Sequence, residues 1–132
     1  MKAFRAAVEA SDLDAVEALL AEDVVFTSPV VFKPYTGKAI TAAILRAVVE
    51  VFEDFRYERE MSGADGHDHA LVFTARVGDR RITGCDFLHV GEDGLIDDLM
   101  VMVRPLSGAQ ALAEAMGARF EQIARDAQTR SA

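Results

Sequence analysis

The sequence predicts an α+β domain: a cone-shaped, curved sheet, mixed or antiparallel, wrapped around N-terminal helices, with a further helix at the C-terminal end. Three observations carry this expectation. Residues 11–34, SDLDAVEALLAEDVVFTSPVVFKP, run from a capped helix through an acidic break into a strand and a Pro-bounded apolar loop. A segment of helical period begins at Gly37. From its end to Pro105 the pattern is strand after strand, separated by turn residues. A sheet of that kind curled around helices leaves a conical cavity.

Each element has its own reason. Lys2 to Ala10 reads as a helix with Phe4 and Val8 on one face. Ser11 is placed to cap a second helix, with Asp12 and Asp14 in the first turn, where negative charge suits the helix dipole. Leu13, Val16, Leu19 and Leu20 form its buried stripe, Asp23 ends it, and Val24-Val25-Phe26 reads as a short strand. Gly37 to Phe52 carries Ile40, Ile44, Val48, Val51 and Phe52 at helical spacing. Four strands follow, near Asp54–Met61, His69–Val77, Arg80–Val90 and Leu95–Arg104, broken by Gly- and Asp-rich turns. Pro105 ends the last strand, because it has no N–H for a ladder. Ser107 is placed to cap one final helix carrying Leu112, Met116, Phe120 and Ile123, with a frayed tail from Gln128.

Length and charge narrow the functional classes. A chain of 132 residues fits a single domain spanning 1–132, with 51% apolar and 27% charged residues, an ordinary globular balance. A net charge of −8 with scattered Lys and Arg disfavours nucleic-acid binding, which needs a basic stripe. One cysteine, Cys85, fits a reducing compartment. The first twelve residues hold no signal-peptide core, and no stretch approaches the ~18 apolar residues of a membrane span. A cytoplasmic protein, without membrane or nucleic-acid partners, is expected.

The side-chain period of two assigns faces to the meander. A two-residue turn at Gly78-Asp79 sets Val77 opposite Arg80 and Leu71 opposite Asp86. A loop from Gly91 to Gly94 sets Val90 opposite Leu95 and Asp86 opposite Leu99. One face then holds Leu71, Phe73, Ala75, Ile82, Gly84, Asp86, Leu88, Leu99, Val101 and Val103, apolar but for one carboxylate. The other mixes Val72, Cys85, Phe87, Met100 and Met102 with Arg76, Arg81, His89, Asp98 and Arg104. It is too apolar for a free surface, so a homodimer through this outer sheet face is expected.

The segments Ser11-Asp12-Leu13-Asp14-Ala15, Leu19 to Val24, Ser28-Pro29-Val30, Gly37-Lys38-Ala39-Ile40, Gly84-Cys85-Asp86, Gly94-Leu95-Ile96 and Val103-Arg104-Pro105 resemble the nuclear transport factor 2-like superfamily, in its SnoaL-like or ketosteroid-isomerase-like branch. The likeness covers nearly all of the chain up to Pro105 and implies the cone-shaped fold, which hosts isomerases, cyclases, hydratases, hydrolases and non-catalytic binders. It carries over to single positions. Ser28 stands where the isomerase has its aspartate base, and Phe4 where it has an oxyanion-hole tyrosine. Asp86 matches the protonated aspartate that serves as the second oxyanion donor. A serine hydroxyl is too weak a base to take a proton from carbon, so ketosteroid isomerisation as such is not expected. The Asp-Arg-Asp set of the epoxide-hydrolase branch is also missing, because position 84 is Gly.

Asp86 is the leading candidate for catalysis. A carboxylate among Leu, Val and Phe is desolvated and its pKa rises, which suits proton transfer in a dry pocket. The alternative is a structural aspartate satisfied by Ser28, Tyr35, Tyr57 or a buried water. Ser28, Phe32 and Tyr35 lie on the loop that rims the cavity. Expected wall residues are Phe26, Phe32, Tyr35, Ile44, Phe55, Leu71, Phe73, Leu88, Leu99 and Val101. His67 and His69 sit at a hairpin start with no distant ligands to complete a tetrahedral set, so no metal is expected. The expectation is a small, mostly apolar ligand in a conical pocket and, if the chain is an enzyme, cofactor-free acid–base chemistry such as isomerisation, cyclisation or hydration, with Asp86 carrying the proton. Its rivals are a non-catalytic carrier or sensor, and an association domain whose cavity its own side chains fill.

Overall fold

The computed structural model describes residues 1–131. In chain order the elements are α1 (Lys2–Glu9), α2 (Leu13–Ala18), β1 (Leu20–Thr27), β2 (Tyr35–Thr36), α3 (Lys38–Val51) and β3 (Glu53–Ser62). They continue with β4 (Asp68–Val77), β5 (Arg80–Val90), β6 (Ile96–Arg104), α4 (Leu106–Gly117) and α5 (Phe120–Ser131). The strands form one curved, unclosed mixed sheet in the order β2-β1-β6-β5-β4-β3. Every pairing is antiparallel except β1 with β6, where Phe26 lies opposite Leu99 in a parallel ladder. This is the predicted α+β cone.

The hairpin after Gly78-Asp79 has the expected register, with Val77 opposite Arg80 and Leu71 opposite Asp86. The next pairing departs from expectation by two residues. Val90 lies opposite Ile96, a bulge follows, and Asp86 meets Val101 instead of Leu99. An even shift leaves each side chain on its face, so the apolar inner surface survives the error.

Local chemistry explains the other departures. Ser11 does not cap α2. It takes a left-handed conformation (φ 54°) and closes α1, its N–H donating to Val8 O and that of Asp12 to Ala7 O. The cap role then falls to Asp12, whose carboxylate accepts from Ala15 N at 3.1 Å. At α3 the cap is Gly37 (φ 119°), whose N–H donates to Val24 O and ties the helix start to β1. The single C-terminal helix is two helices, separated after Gly117, and α5 packs on α3 while α4 packs on β5 and β6. The first starts from Pro105 with no side-chain cap, so Ser107 lies inside its first turn. Helix continues through Gln128 to Ser131 where fraying was expected. Glu17 on α2 joins these layers, accepting from Arg46 of α3 at 2.9 Å and from Arg130 of α5 at 2.5 Å.

Candidate active site

Between the concave face of the sheet and the helices lies a cavity of about 560 Å³. α1 contributes Phe4 and Val8, and α3 contributes Ile44, Leu45, Val48 and Val49. Phe55, Tyr57, Phe73, Asp86 and Val101 come from β3 to β6, and Phe26 from β1. Ser28 to Val31 and Tyr35 line one side, while Leu112, Met116, Phe120 and Ile123 of the last two helices line another.

The aromatic wall follows from strand alternation and from one glycine. Phe55 stacks on Phe73 with ring centroids 5.0 Å apart, and meets Tyr57 edge-on at 4.9 Å. Phe73 lies directly opposite Gly84 across β4 and β5. A Cβ at position 84 would overlap the Phe73 ring and come within 2.8 Å of the Met102 carbonyl oxygen. Glycine there lets the ring lie flat over the neighbouring strand.

Among the described residues Asp86 is the one carboxylate on this lining, 9% exposed. Tyr57, itself buried, donates its hydroxyl to Asp86 Oδ2 at 2.8 Å. Burial pushes the carboxyl up to about 7, and the Tyr57 hydrogen bond pulls in the opposite direction. Tyr57 is driven far above the ordinary phenol range, first by burial and then by the Asp86 charge. Its ring is held by Phe55 and Phe73 and by the Arg5 guanidinium, 5.7 Å from its centroid. Chemically, the pair is a proton-exchanging carboxyl near neutrality, braced by a phenol that stays protonated.

Of the residues picked from sequence, Phe26, Ser28, Tyr35, Ile44, Phe55, Phe73, Asp86 and Val101 line the cavity. Leu71, Leu88 and Leu99 do not; they are buried in the hydrophobic core. Leu88 faces Leu99 two residues along the strands from the Asp86–Val101 pair, where packed side chains fill the space. Phe32 is a clearer miss, fully exposed at the loop tip, and Val30 and Val31 line the cavity in its place. Ser28 lines the rim, but its Oγ accepts from Val30 N at 3.1 Å.

Sequence reasoning weighed Tyr57 as a partner for Asp86 but left it out of the wall, although its two-residue spacing from Phe55 places both on one face. The resemblance already put Phe4 at a site position, but neither Phe4 nor the closing helices were placed in the wall, because no local pattern encodes where they pack. The histidines serve the hairpin. His67 Nδ1–H donates to Val90 O at 2.6 Å, and His69 bridges Ser62 and Gly66 O. Among the described residues no group of three or more His, Cys, Asp or Glu is arranged to hold a metal ion. Nor is any described helix long and apolar enough to cross a membrane.

Comparisons with known proteins agree with this architecture. Residues 1–99 match the SnoaL-like domain. A steroid delta-isomerase from Pseudomonas aeruginosa is 44% identical, with a TM-score of 0.86 over 90% of this chain and 87% of that one. A protein with a cystatin-like fold from Silicibacter pomeroyi DSS-3 is 40% identical, with a TM-score of 0.89 over 99% and 92%. The epoxide hydrolase/cyclase-like enzyme SalBIII, of pyran ring formation in salinomycin, is 19% identical with a TM-score of 0.64 over 80% and 87%, a likeness of fold alone. No curated protein matches the sequence.

Proposed function

This chain belongs to the SnoaL-like domain family, and from that premise we propose that its cavity takes a small, mostly apolar molecule with one carbonyl or hydroxyl group. We propose further that Asp86 moves a proton on that molecule without a cofactor, in chemistry of the isomerase, cyclase or hydratase kind. The observation that carries the reading is the buried Asp86–Tyr57 pair on an otherwise apolar lining. Tyr57 occupies Oδ2 and leaves Oδ1 for the ligand. With its carboxyl near 7, Asp86 is populated in both forms around neutrality. The ionised form accepts a proton from a carbon beside a ligand carbonyl, whose bonding electrons pass into an enolate. The same carboxyl returns the proton at another carbon of that conjugated system. Proton and electrons balance, and one group serves as base and then acid.

Ser28 and Phe4, at the positions where the isomerase branch has its aspartate and tyrosine, favour a second reading, a non-catalytic carrier. The experiment presents β,γ-unsaturated ketosteroids and smaller β,γ-unsaturated ketones to the wild type and to Asp86→Asn, following binding by calorimetry and conjugation by ultraviolet absorbance. Conversion that falls about 10²-fold or more in Asp86→Asn, with binding retained, supports the acid–base reading. Binding without conversion in either protein supports the carrier. Absence of binding across the panel counts against both.

A further inference from the structure

The mouth of the cavity is apolar, and its rim is left uncovered. Val31, Val49 and Phe120 line the cavity yet remain 41%, 38% and 48% exposed, so they mark where it opens to solvent. They come from three places: the loop between β1 and β2, α3, and the start of α5. Beside Val31, Phe32 stands fully exposed at the loop tip, outside the lining. A single exposed phenylalanine needs no explanation, but this one adjoins three exposed apolar side chains around one opening.

The loop that carries Phe32 is held at its ends. β1 stops at Thr27, and β2 begins at Tyr35, which pairs with Phe26. Between them, among the described residues, no backbone–backbone hydrogen bond involves Val30, Val31, Phe32 or Lys33. The Val30 N–H donates to Ser28 Oγ, a bond internal to the loop. Pro29 and Pro34 have no N–H to donate. The tip can therefore move without breaking any ladder, which places it at the low end of local stability.

With water in the cavity, turning Phe32 inward would order the loop and gain little. With an apolar molecule there, the same movement takes the Phe32 ring, Val31, Val49 and Phe120 out of water together. An occupant that makes these contacts only in the closed arrangement shifts the loop toward it. We propose that residues 28–34 are a flap that folds over the mouth once an apolar molecule occupies the cavity, carrying Phe32 from solvent to the rim formed by Val31, Val49 and Phe120. The flap rests on the reading of the cavity as a site for such a molecule, and it gives the bound state a wall that the free state lacks.

The chain has no tryptophan, so Phe32→Trp places a single fluorescent reporter at the tip. Two saturated ketones, adamantanone and cyclododecanone, are titrated into the wild type, Phe32→Trp, Phe32→Ala and Leu106→Ala. Calorimetry gives the affinity, and the reporter variant gives the indole emission. Both ketones are smaller than the cavity of about 560 Å³, so neither reaches the tip from inside. Leu106, also exposed and outside the lining, is the control. As either ketone saturates the cavity, the indole emission moves to shorter wavelength with the calorimetric Kd. Phe32→Ala weakens binding by about tenfold or more, as the loss of one buried phenylalanine predicts, and Leu106→Ala leaves it unchanged. Emission that stays put at saturation, or a Kd unchanged in Phe32→Ala or equally weakened in Leu106→Ala, overturns the flap and leaves the reading of the cavity standing. Emission that shifts with protein concentration in the absence of ketone means that a second copy covers the tip, and also overturns it. Failure of both ketones to bind the wild type overturns the flap together with the reading it rests on. Phe32 lies outside the core, so both variants at this position should fold, and urea unfolding checks that they do.

Discussion

Replacing Asp86 by Asn should change how stability depends on pH, and the size of the change follows from one burial. Asp86 titrates near 7 in the fold against an ordinary value of 3.8. The folded state therefore holds this proton more tightly than the unfolded chain, by about three units, or roughly 4 kcal/mol at 1.36 kcal/mol per unit. The sign follows from the raised value. Its contribution is fully present below about pH 4, declines as pH rises toward 7, and is gone above 7. Asparagine is neutral throughout and keeps much the same shape, so the variant lacks this decline. Between pH 5 and pH 8 the stability of Asp86→Asn relative to the wild type should rise by about 2–3 kcal/mol. Urea unfolding of both proteins at the two pH values reads it directly, and histidine titration cancels in the difference. Equal pH dependence in the two proteins would refute the claim that this carboxyl is kept from water.

Tyr57→Phe removes the donor that favours the charged form, so the Asp86 carboxyl should titrate higher still. Carbon-detected NMR of the carboxyl resonance gives both values, and an unchanged or lower one would remove Tyr57 from the pair. Gly84→Ala should cost about 1–3 kcal/mol, because a methyl there overlaps the Phe73 ring and crowds the Met102 carbonyl. Chemical denaturation measures it, and a neutral result would mean that the Phe73 ring is free to shift.

The parts of this molecule that could be read in advance depend on short-range periodicity. Asp86 was assignable to the concave face because Gly78-Asp79 sets the hairpin register, and alternation then carries the face along both strands. The pairing of β5 with β6 was misjudged because a bulge beside His89 has no signature in the residues there. The two-residue β2 is too short to show any period, and Ser11 and Asp12 competed for one cap that only the closure of α1 decides. Leu112, Met116, Phe120 and Ile123 announce helices, but their seat against the cavity depends on contacts with α3 and the sheet, far away in sequence. Wall residues on strands were therefore legible where the register was, and wall residues on the closing helices were not.

The parallel joint between β1 and β6 has a consequence for how the chain reaches this shape. The β3 to β6 meander can zip through neighbouring hairpins, each closing a small loop. β1 must wait for a partner about seventy positions downstream, such as Leu99 for Phe26. That pairing closes the longest loop between neighbouring strands of the sheet, so contact order expects it to form after the hairpins. A substitution that weakens the β1–β6 ladder should therefore speed unfolding more than it slows folding.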